Sequence, residues 1–280
     1  MSQLIFKGRN IFYEVQGEGK PILILNGIMM STKSWEPFVK SFTATNQLIR
    51  LDFFDQGQSD KLENSAYTQD IQVDVMEALL KHLKIHKVSI VGISYGGEVA
   101  AMFAIKFPYM VDRLVLFNST SYTSPWLAEI GHQWNAIGKT RDGATYYKAT
   151  IPVIYSPSYY EKRLDWMKNR EAYLLPIFSN PVFLDAMERL TNSAESYDVR
   201  DQLDKIIAPT LLVAADEDYL TPINNQRELH KKIKNSENLQ KRPNNLSTIT
   251  KVRTNKIHNY TNEFSLRAFE IWENFLKRIQ

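Results

Sequence analysis

Five short apolar runs constrain the fold of this chain more than any other feature of its sequence. They occupy residues 21–25, 48–54, 88–91, 114–117 and 210–214. Runs of this length suit strands that are buried on both faces of a parallel sheet. Between them, residues 71–83 and 98–107 carry apolar side chains at helical spacing, and residues 264–279 repeat that pattern. The alternation of strands and helices predicts an α/β fold with a mostly parallel sheet flanked by helices.

The alternation stops between residues 121 and 205. This stretch is rich in tyrosine and tryptophan and contains no convincing apolar strand, so we expect a mostly helical insertion between two strands. No Gly/Ser-rich linker flanks it, which predicts a subdomain packed on the sheet. The predicted division is therefore a core of residues 1–120 and 206–280, with a helical cap at 121–205.

The bulk composition restricts the class of partner. The formal net charge is only +3, which gives no reason to expect nucleic acid or a membrane surface as a partner. The absence of cysteine excludes disulfides and thiolate metal sites. The first residues lack the long apolar core of a signal peptide. We expect a soluble cytoplasmic protein that acts on a small molecule without a metal or cofactor.

The strongest chemical signal is a Gly-x-Ser-x-Gly pattern centred on Ser94. It directly follows the apolar run 88–91 and directly precedes a predicted helix, which is the context of a nucleophile elbow. Gly92 and Gly96 provide the small residues that such a tight turn requires, and Gly97 leaves room for the helix to pack on the strand. The turn also places Ser94 at a helix N-terminus, where negative charge is favoured. Ser94 is therefore the predicted nucleophile.

A serine nucleophile needs a base, and the base needs an acid that orients it. The acid is expected after a late strand, and Asp218 follows the run 210–214 at four residues before Pro222, with Asp216 as the competitor. Of the five histidines, His258 is the best placed base, because it precedes the last predicted helix. His230 lies in a segment, residues 226–234, that is predicted to be a surface helix.

The negative oxygen of a tetrahedral intermediate needs two hydrogen-bond donors. The first candidate is the backbone N–H of Tyr95, the residue after the nucleophile. The second is the backbone N–H of Ile28, because Asn26 and Gly27 end an earlier predicted strand. An ordinary Asn-Gly turn is the alternative interpretation of that segment.

These motifs together resemble the α/β-hydrolase superfamily, in order and in spacing, from about residue 11 to the C-terminus. The resemblance implies a mostly parallel eight-stranded sheet, a helical cap inserted after strand 6, and a triad of Ser94, Asp218 and His258. A serine at the elbow resembles esterases, thioesterases and carbon–carbon-bond hydrolases. The motifs that carry the likeness are Leu25-Asn26-Gly27, Asp52 with Gly57 and Ser59, Gly92-x-Ser94-x-Gly96-Gly97, Asp218 with Pro222, and His258.

The sequence departs from the superfamily pattern in several places. Asn26 replaces the usual histidine before the oxyanion glycine, which is similar to the enzyme that couples hydroxyacyl chains in rhamnolipid synthesis. Asp55 stands in the loop that usually carries Arg-Gly, and residues 235–245 read as a long polar loop before the base. Some relatives take the acid from the end of the preceding strand, where this chain has Asn118 and no carboxylate.

Three functions fit these residues. The first is a hydrolase of a carboxylic ester or thioester, the second an acyltransferase that uses the same triad, and the third a non-catalytic ligand-binding protein on the same fold. Residues 227–256 carry nine Lys/Arg against two Asp/Glu. This run is typical of a solvated surface, and its alternative interpretation is a docking patch for an acidic acyl carrier partner.

Overall fold

The structure is a computed structural model that describes the backbone of residues 2–241 and the side chains of residues 3–236. Within these residues the chain forms one eight-stranded sheet in the order β1-β2-β4-β3-β5-β6-β7-β8. β2 pairs antiparallel with β1 and β4, and the other neighbours are parallel. The expected mostly parallel sheet is therefore confirmed. The strands are β1 (Ser2–Phe6), β2 (Arg9–Gln16), β3 (Lys20–Leu25), β4 (Asn46–Leu51), β5 (Val88–Ile93), β6 (Val111–Phe117), β7 (Thr210–Ala215) and β8 (Ser236–Lys241).

Nine α-helices accompany the sheet in the described part of the chain. Those outside the insertion are α1 (Val39–Thr43), α2 (Asp70–His82), α3 (Tyr95–Lys106) and α9 (Ile223–Lys232). The five between β6 and β7 are α4 (Pro125–Gly138), α5 (Gly143–Ile154), α6 (Pro157–Lys162), α7 (Leu164–Phe178) and α8 (Pro181–Ser193). Their place after β6 agrees with the helical insertion that the sequence predicts.

Alternate residues of the central strands enter two separate apolar clusters, one on each face of the sheet. Leu23 and Leu25 of β3 pack with α2 and α3, whereas Ile22 and Ile24 pack with Trp35. This period-2 alternation follows from the strand geometry, and it explains why the runs are apolar throughout. The two faces of the sheet are thus covered by different parts of the chain, one by α2 and α3 and the other by the segment that contains Trp35 and α1.

Local sequence signals set where the inserted helices begin. The side chain of Ser124 accepts a hydrogen bond from the backbone N–H of Leu127 at the start of α4, and Asn180 does the same for Val182 in α8. Proline follows each of these capping residues, at the first helical position, where its missing N–H costs nothing. These caps fix the first residues of α4 and α8.

The structure corrects one sequence interpretation and leaves another untested. The predicted polar loop at 235–245 is wrong for residues 236–241, because these form β8 beside β7. A polar edge strand lacks the apolar run that marks a doubly buried strand, so periodicity missed it. His258 and the predicted helix at residues 264–279 lie outside the described residues. Within the described part, no helix is long and apolar enough to cross a bilayer.

Candidate active site

Ser94 occupies the connection between β5 and α3, in a backbone conformation that few residues other than glycine adopt. Its φ is 51° and its ψ is −122°. A strained residue of this kind costs on the order of 1–3 kcal/mol and persists only where the surrounding structure enforces it. Its N–H donates to the carbonyl of Phe117 at 2.9 Å, and its own carbonyl accepts from Gly97 at 2.7 Å. The side chain of Ser94 is half-buried, so it remains accessible from one side.

The glycines around Ser94 are required by close backbone packing. A Cβ on Gly92 would lie 2.5 Å from the carbonyl oxygen of Gly96, and a Cβ on Gly96 would lie 2.6 Å from that of Asn26. Both distances are shorter than real Cβ atoms tolerate, so any larger residue would force the turn open. The Gly-x-Ser-x-Gly spacing is therefore a steric requirement of this turn.

Tyr95, the first residue of α3, is fixed by contacts to both the core and the insertion. Its hydroxyl lies 2.9 Å from the hydroxyl oxygen of Ser193 at the end of α8. Its ring meets that of Phe53 edge-on, with 6.3 Å between centroids. The backbone N–H of a first helical residue has no acceptor within the helix. The Tyr95 N–H is thus a hydrogen-bond donor at the nucleophile, on a residue whose side chain is anchored.

The turn that follows β3 lies beside the nucleophile. β3 and β5 are neighbouring parallel strands, and Leu25 is paired with Gly92. A Cβ on Gly27 would lie 3.6 Å from the carbonyl oxygen of Ile93, directly before Ser94. The turn is closed by a hydrogen bond of 3.0 Å from the N–H of Met30 to the carbonyl of Gly27. Ile28, the predicted second oxyanion donor, lies within this turn.

The buried side chain of Asn26, which stands where the superfamily usually has histidine, bonds to the segments around the same turn. Its side chain is 1% exposed, and its amide donates to the carbonyl of Leu51 at 2.8 Å and to Asp52 Oδ1 and Gln56 Oε1, both at 3.2 Å. Its Oδ1 accepts from the indole N–H of Trp35 at 2.8 Å. A fully bonded buried amide is rigid, so the turn is preorganised.

Asp218 lies in the loop after β7, and both of its carboxylate oxygens accept hydrogen bonds. The N–H groups of Leu220 and Thr221 donate to Oδ1, each at 2.9 Å. The hydroxyl of Thr221, also at 2.9 Å, and the amide Nδ2 of Asn118 donate to Oδ2. Asp218 is therefore a half-buried carboxylate in a single orientation, as an orienting acid requires. Its neighbour Glu217 instead accepts from the hydroxyl of Ser158, at 2.5 Å, in the insertion.

Hydrogen bonds across three strand ends place Ser94 and Asp218 at the same edge of the sheet. Ser94 follows β5 and bonds to Phe117 at the end of β6. Asn118, the next residue, donates its N–H at 2.9 Å to the carbonyl of Val213 in β7. In a parallel sheet these carboxyl ends form the crevice where ligands bind. The structure thus brings the predicted nucleophile and the predicted acid to one edge.

The predicted base, His258, lies outside the described residues, so its position stays a prediction. The four histidines of the described part are all engaged or exposed elsewhere. His230 is exposed on α9, as expected, and its Nδ1 lies 2.9 Å from the hydroxyl of Ser236. His82 contacts the hydroxyl of Tyr13, His132 contacts Glu195, and His86 is exposed after α2.

The sequence does not reveal the roles of two residues near the site. It marks Asn118 only as a position without a carboxylate, whereas in the structure the Asn118 amide donates to Asp218. Asp55 departs from the superfamily pattern, and in the structure it is a fully buried carboxylate that binds Arg189 of α8 in a bidentate ion pair, with a shortest distance of 2.6 Å. The hydroxyl of Tyr67 also donates to it at 2.7 Å. The only signal in the sequence is that each of these polar residues follows a predicted apolar strand. That signal does not identify the residue to which either of them binds.

Nine of the thirteen aromatic residues of the insertion join one apolar cluster, four of them buried and five partly buried. Trp134, Tyr146 and Phe178 are each at most 5% exposed and pack together. The half-buried side chains of Ile28 and Met29 join this cluster from the turn after β3. The insertion therefore contacts the candidate oxyanion turn through apolar side chains.

Comparison with known proteins places this architecture among enzymes of one fold. A family model described as alpha/beta hydrolase fold matches residues 20–244. The structure of MGS-M2, an alpha/beta hydrolase enzyme from a Medee basin deep-sea metagenome library, superposes with a TM-score of 0.85 at 47% identity, covering 86% of this chain and 89% of that one. The uncharacterized hydrolase YugF of Bacillus subtilis is 25% identical over 82% of this chain and 85% of its own length. A putative carbamate hydrolase, RutD of Pantoea ananatis, is 24% identical over 82% and 84%.

Proposed function

Because this chain belongs to the alpha/beta hydrolase fold family, we propose that it is a serine hydrolase that cleaves a carboxylic ester or thioester through an acyl-enzyme on Ser94. The observation that carries the proposal is the strained backbone of Ser94, at φ 51°, at the N-terminus of α3. Strain of this kind clusters at active sites, because it presents a side chain that a relaxed turn would not expose. The relatives compared above are described as hydrolases. The specificity for an ester or thioester is our inference from the serine nucleophile.

The proposed reaction has two steps, and in each of them a negative oxygen forms on the substrate carbonyl while His258 holds a proton. Ser94 Oγ attacks the substrate carbonyl carbon while its proton passes to the imidazole of His258, which Asp218 orients. The N–H groups of Ile28 and Tyr95 stabilise the negative oxygen of the tetrahedral intermediate. When the intermediate collapses, the leaving alcohol or thiol takes the proton from His258 and the acyl group stays on Ser94. Water then attacks the acyl-enzyme by the same route, which releases the acid and restores Ser94.

The insertion supports an apolar acyl-binding role for the proposed cap, residues 121–205. Ile28 and Met29 continue the apolar cluster of the insertion down to the turn that would hold the oxyanion. An acyl chain bound beside this turn would meet apolar and aromatic surface, as small-molecule pockets generally provide. A docking patch for an acidic acyl carrier stays a prediction. Arg227 and Lys231 of the basic run are exposed on α9, next to the acidic Glu228.

Labelling with a fluorophosphonate tests the proposal, because this reagent reports an activated serine. The wild-type chain should be labelled and Ser94→Ala should not, whereas Ser65→Ala, an exposed loop serine, should react like wild type. Absence of labelling in the wild type between about pH 6 and 9, a range that extends well above the ordinary histidine pKa of about 6.5, would favour the ligand-binding alternative. Product analysis with and without a hydroxylated acceptor then separates hydrolysis, which releases the free acid, from acyl transfer.

A further inference from the structure

Asn118 contacts the proposed triad acid without belonging to the triad. It directly follows β6, and its side-chain amide Nδ2 donates a hydrogen bond to Asp218 Oδ2. One hundred residues separate the two, so the contact exists only because β6 and β7 are neighbours. We propose that Asn118 is a positioning residue that holds the Asp218 carboxylate in line for the base. The proposal rests on the proposed function, since it takes Asp218 as the acid.

The backbone of Asn118 shows that this position is built for the contact. Its φ is 45°, a left-handed conformation that asparagine and aspartate tolerate better than most other residues with a side chain. Its N–H is bonded to Val213 of β7, so the residue is fixed between the ends of β5 and β7. The side chain therefore starts from a fixed point between Ser94 and the loop that carries Asp218.

The hydrogen-bond pattern determines which way the amide faces. The carboxylate of Asp218 can only accept, so the amide must turn Nδ2 toward it. The other amide atom, Oδ1, is buried and has no hydrogen-bond partner among the described residues. A buried acceptor without a donor is unfavourable. Oδ1 therefore offers a second hydrogen-bond acceptor beside the Asp218 carboxylate.

The remaining bonds of Asp218 explain why Asn118 has a separate role. Leu220 and Thr221 belong to the same loop as Asp218, so their three hydrogen bonds fix the carboxylate relative to that loop alone. Asn118 is the donor from a different strand end, so it fixes the carboxylate relative to the sheet edge that also carries Ser94. Loss of its side chain should therefore disturb alignment of the triad more than stability of the loop.

The side chains of Asn118 and Asp218 are nearly isosteric, which permits an exchange experiment. In the double variant Asn118→Asp/Asp218→Asn, the carboxylate follows β6 and the amide follows β7. One oxygen of the new carboxylate can accept from the new amide at position 218, while the other takes the place of the unpartnered Oδ1. The exchange keeps one negative charge in the pair and offers it to the base from the neighbouring strand end.

Turnover of a p-nitrophenyl ester by four purified variants tests the proposal. Asn118→Gly, which tolerates the positive φ, should lower kcat by about 10-fold or more with little change in KM, as expected for loss of a hydrogen bond to a charged group. Asp218→Asn should lose on the order of 10⁴-fold, as in other triads. The exchange variant should recover at least about 10-fold over Asp218→Asn, because the pair again carries a charge. The single variant Asn118→Asp should lose activity as the second carboxyl group of the pair ionises, because two carboxyl groups in contact share a proton and that ionisation removes the hydrogen-bond donor to Asp218.

The outcomes distinguish failure of this inference from failure of the proposed function. If the exchange variant is no more active than Asp218→Asn and Asn118→Gly retains wild-type kcat, Asn118 does not position the acid, although the enzyme still works. Thermal unfolding of each variant identifies simple misfolding. If Asn118→Gly is unstable, the pH profile of Asn118→Asp decides instead, and a profile identical to that of wild type overturns the proposal. If wild type itself shows neither turnover nor fluorophosphonate labelling, the proposed function fails first.

Discussion

Arg189 of α8 and Asp55 of the loop after β4 form an ion pair in which the Asp55 side chain is completely buried and that of Arg189 is 17% exposed. This pair joins the insertion to the sheet across 134 residues of sequence. Removing the guanidinium would leave a buried carboxylate with only neutral hydrogen-bond donors and the nearby Lys61 for compensation.

We therefore expect Arg189→Met to lower the free energy of unfolding by about 3 kcal/mol, the usual effect of breaking a buried pair. Arg141→Met is the matched control, because Arg141 pairs with Asp185 in the same insertion but both side chains are more than 40% exposed. The control should lose less than about 1 kcal/mol. Urea unfolding measures both, and equal losses would contradict the role assigned to the buried pair.

Replacement of Ser94 by alanine or by glycine should abolish activity equally but should affect stability differently. Ser94→Ala should lower turnover of a short p-nitrophenyl ester by on the order of 10³-fold or more, because it removes the nucleophile. Ser94→Gly should be equally inactive yet more stable than Ser94→Ala by about 1 kcal/mol, since glycine adopts φ 51° without strain. Steady-state kinetics and thermal unfolding test the two parts. Wild-type turnover in either variant would remove Ser94 from the mechanism.

The acid can be assigned by comparing two neighbouring aspartates. Asp218→Asn should lower kcat by on the order of 10⁴-fold, because an amide at this position no longer orients and stabilises the charged imidazole. Asp216→Asn should have a much smaller effect, although Asp216 is similarly half-buried. Measurement of kcat for both variants at one pH shows which aspartate is the acid. The reverse ranking would transfer the role to Asp216.

His258 should give the reaction its dependence on pH. A histidine accepts the Ser94 proton only when its imidazole is neutral, so activity should rise with pH through one ionisation near the ordinary histidine pKa of about 6.5. His258→Ala should lose that rise together with nearly all turnover. His230→Ala should change neither, because His230 is exposed and bonded to Ser236. A pH profile of kcat/KM for the three proteins tests this, and loss of activity in His230→Ala would reverse the assignment.

Glu98, in the first turn of α3, should make stability fall between acidic and neutral pH. Burial raises the pKa of its carboxyl to about 7, even though the amide of Gln69 donates to it at 2.7 Å. The folded protein therefore binds this proton more tightly than the unfolded chain does. Stability from this group is present below the ordinary glutamate pKa of about 4.3 and is lost progressively as pH rises to about 7.

Glu98→Gln should abolish that loss, because glutamine keeps a hydrogen-bonding partner for Gln69 and carries no charge. Relative to wild type, the variant should gain on the order of a few kcal/mol between about pH 5 and pH 8. Chemical unfolding at the two values measures the gain. Glu63→Gln, at an exposed position, is the control and should show little difference between them. An equal response of the two variants would contradict the role of burial.

Several features of the fold and site follow from short stretches of sequence. The central strands are found at the predicted apolar runs, because burial on both faces leaves few polar positions in them. The elbow is found at Ser94, because its steric demand is satisfied by glycines within two residues. Asp218 lies in the loop after β7, where its spacing before Pro222 predicts the acid, although its catalytic role is still a prediction. In each case the signal is local, and side chains close in sequence are sufficient to produce it.

The sequence alone determined the central apolar strands, the helical insertion and the turn that presents Ser94, whereas only the tertiary structure decided which distant side chains meet. The polar strand β8 exists because β7 offers it a hydrogen-bonding edge. Asn118 reaches Asp218, and Arg189 reaches Asp55, because strand order and the docking of α8 bring together residues at least 100 positions apart. Periodicity and turn chemistry act over a few residues. Long-range polar pairing depends on the geometry that the whole fold imposes, and no local pattern encodes it.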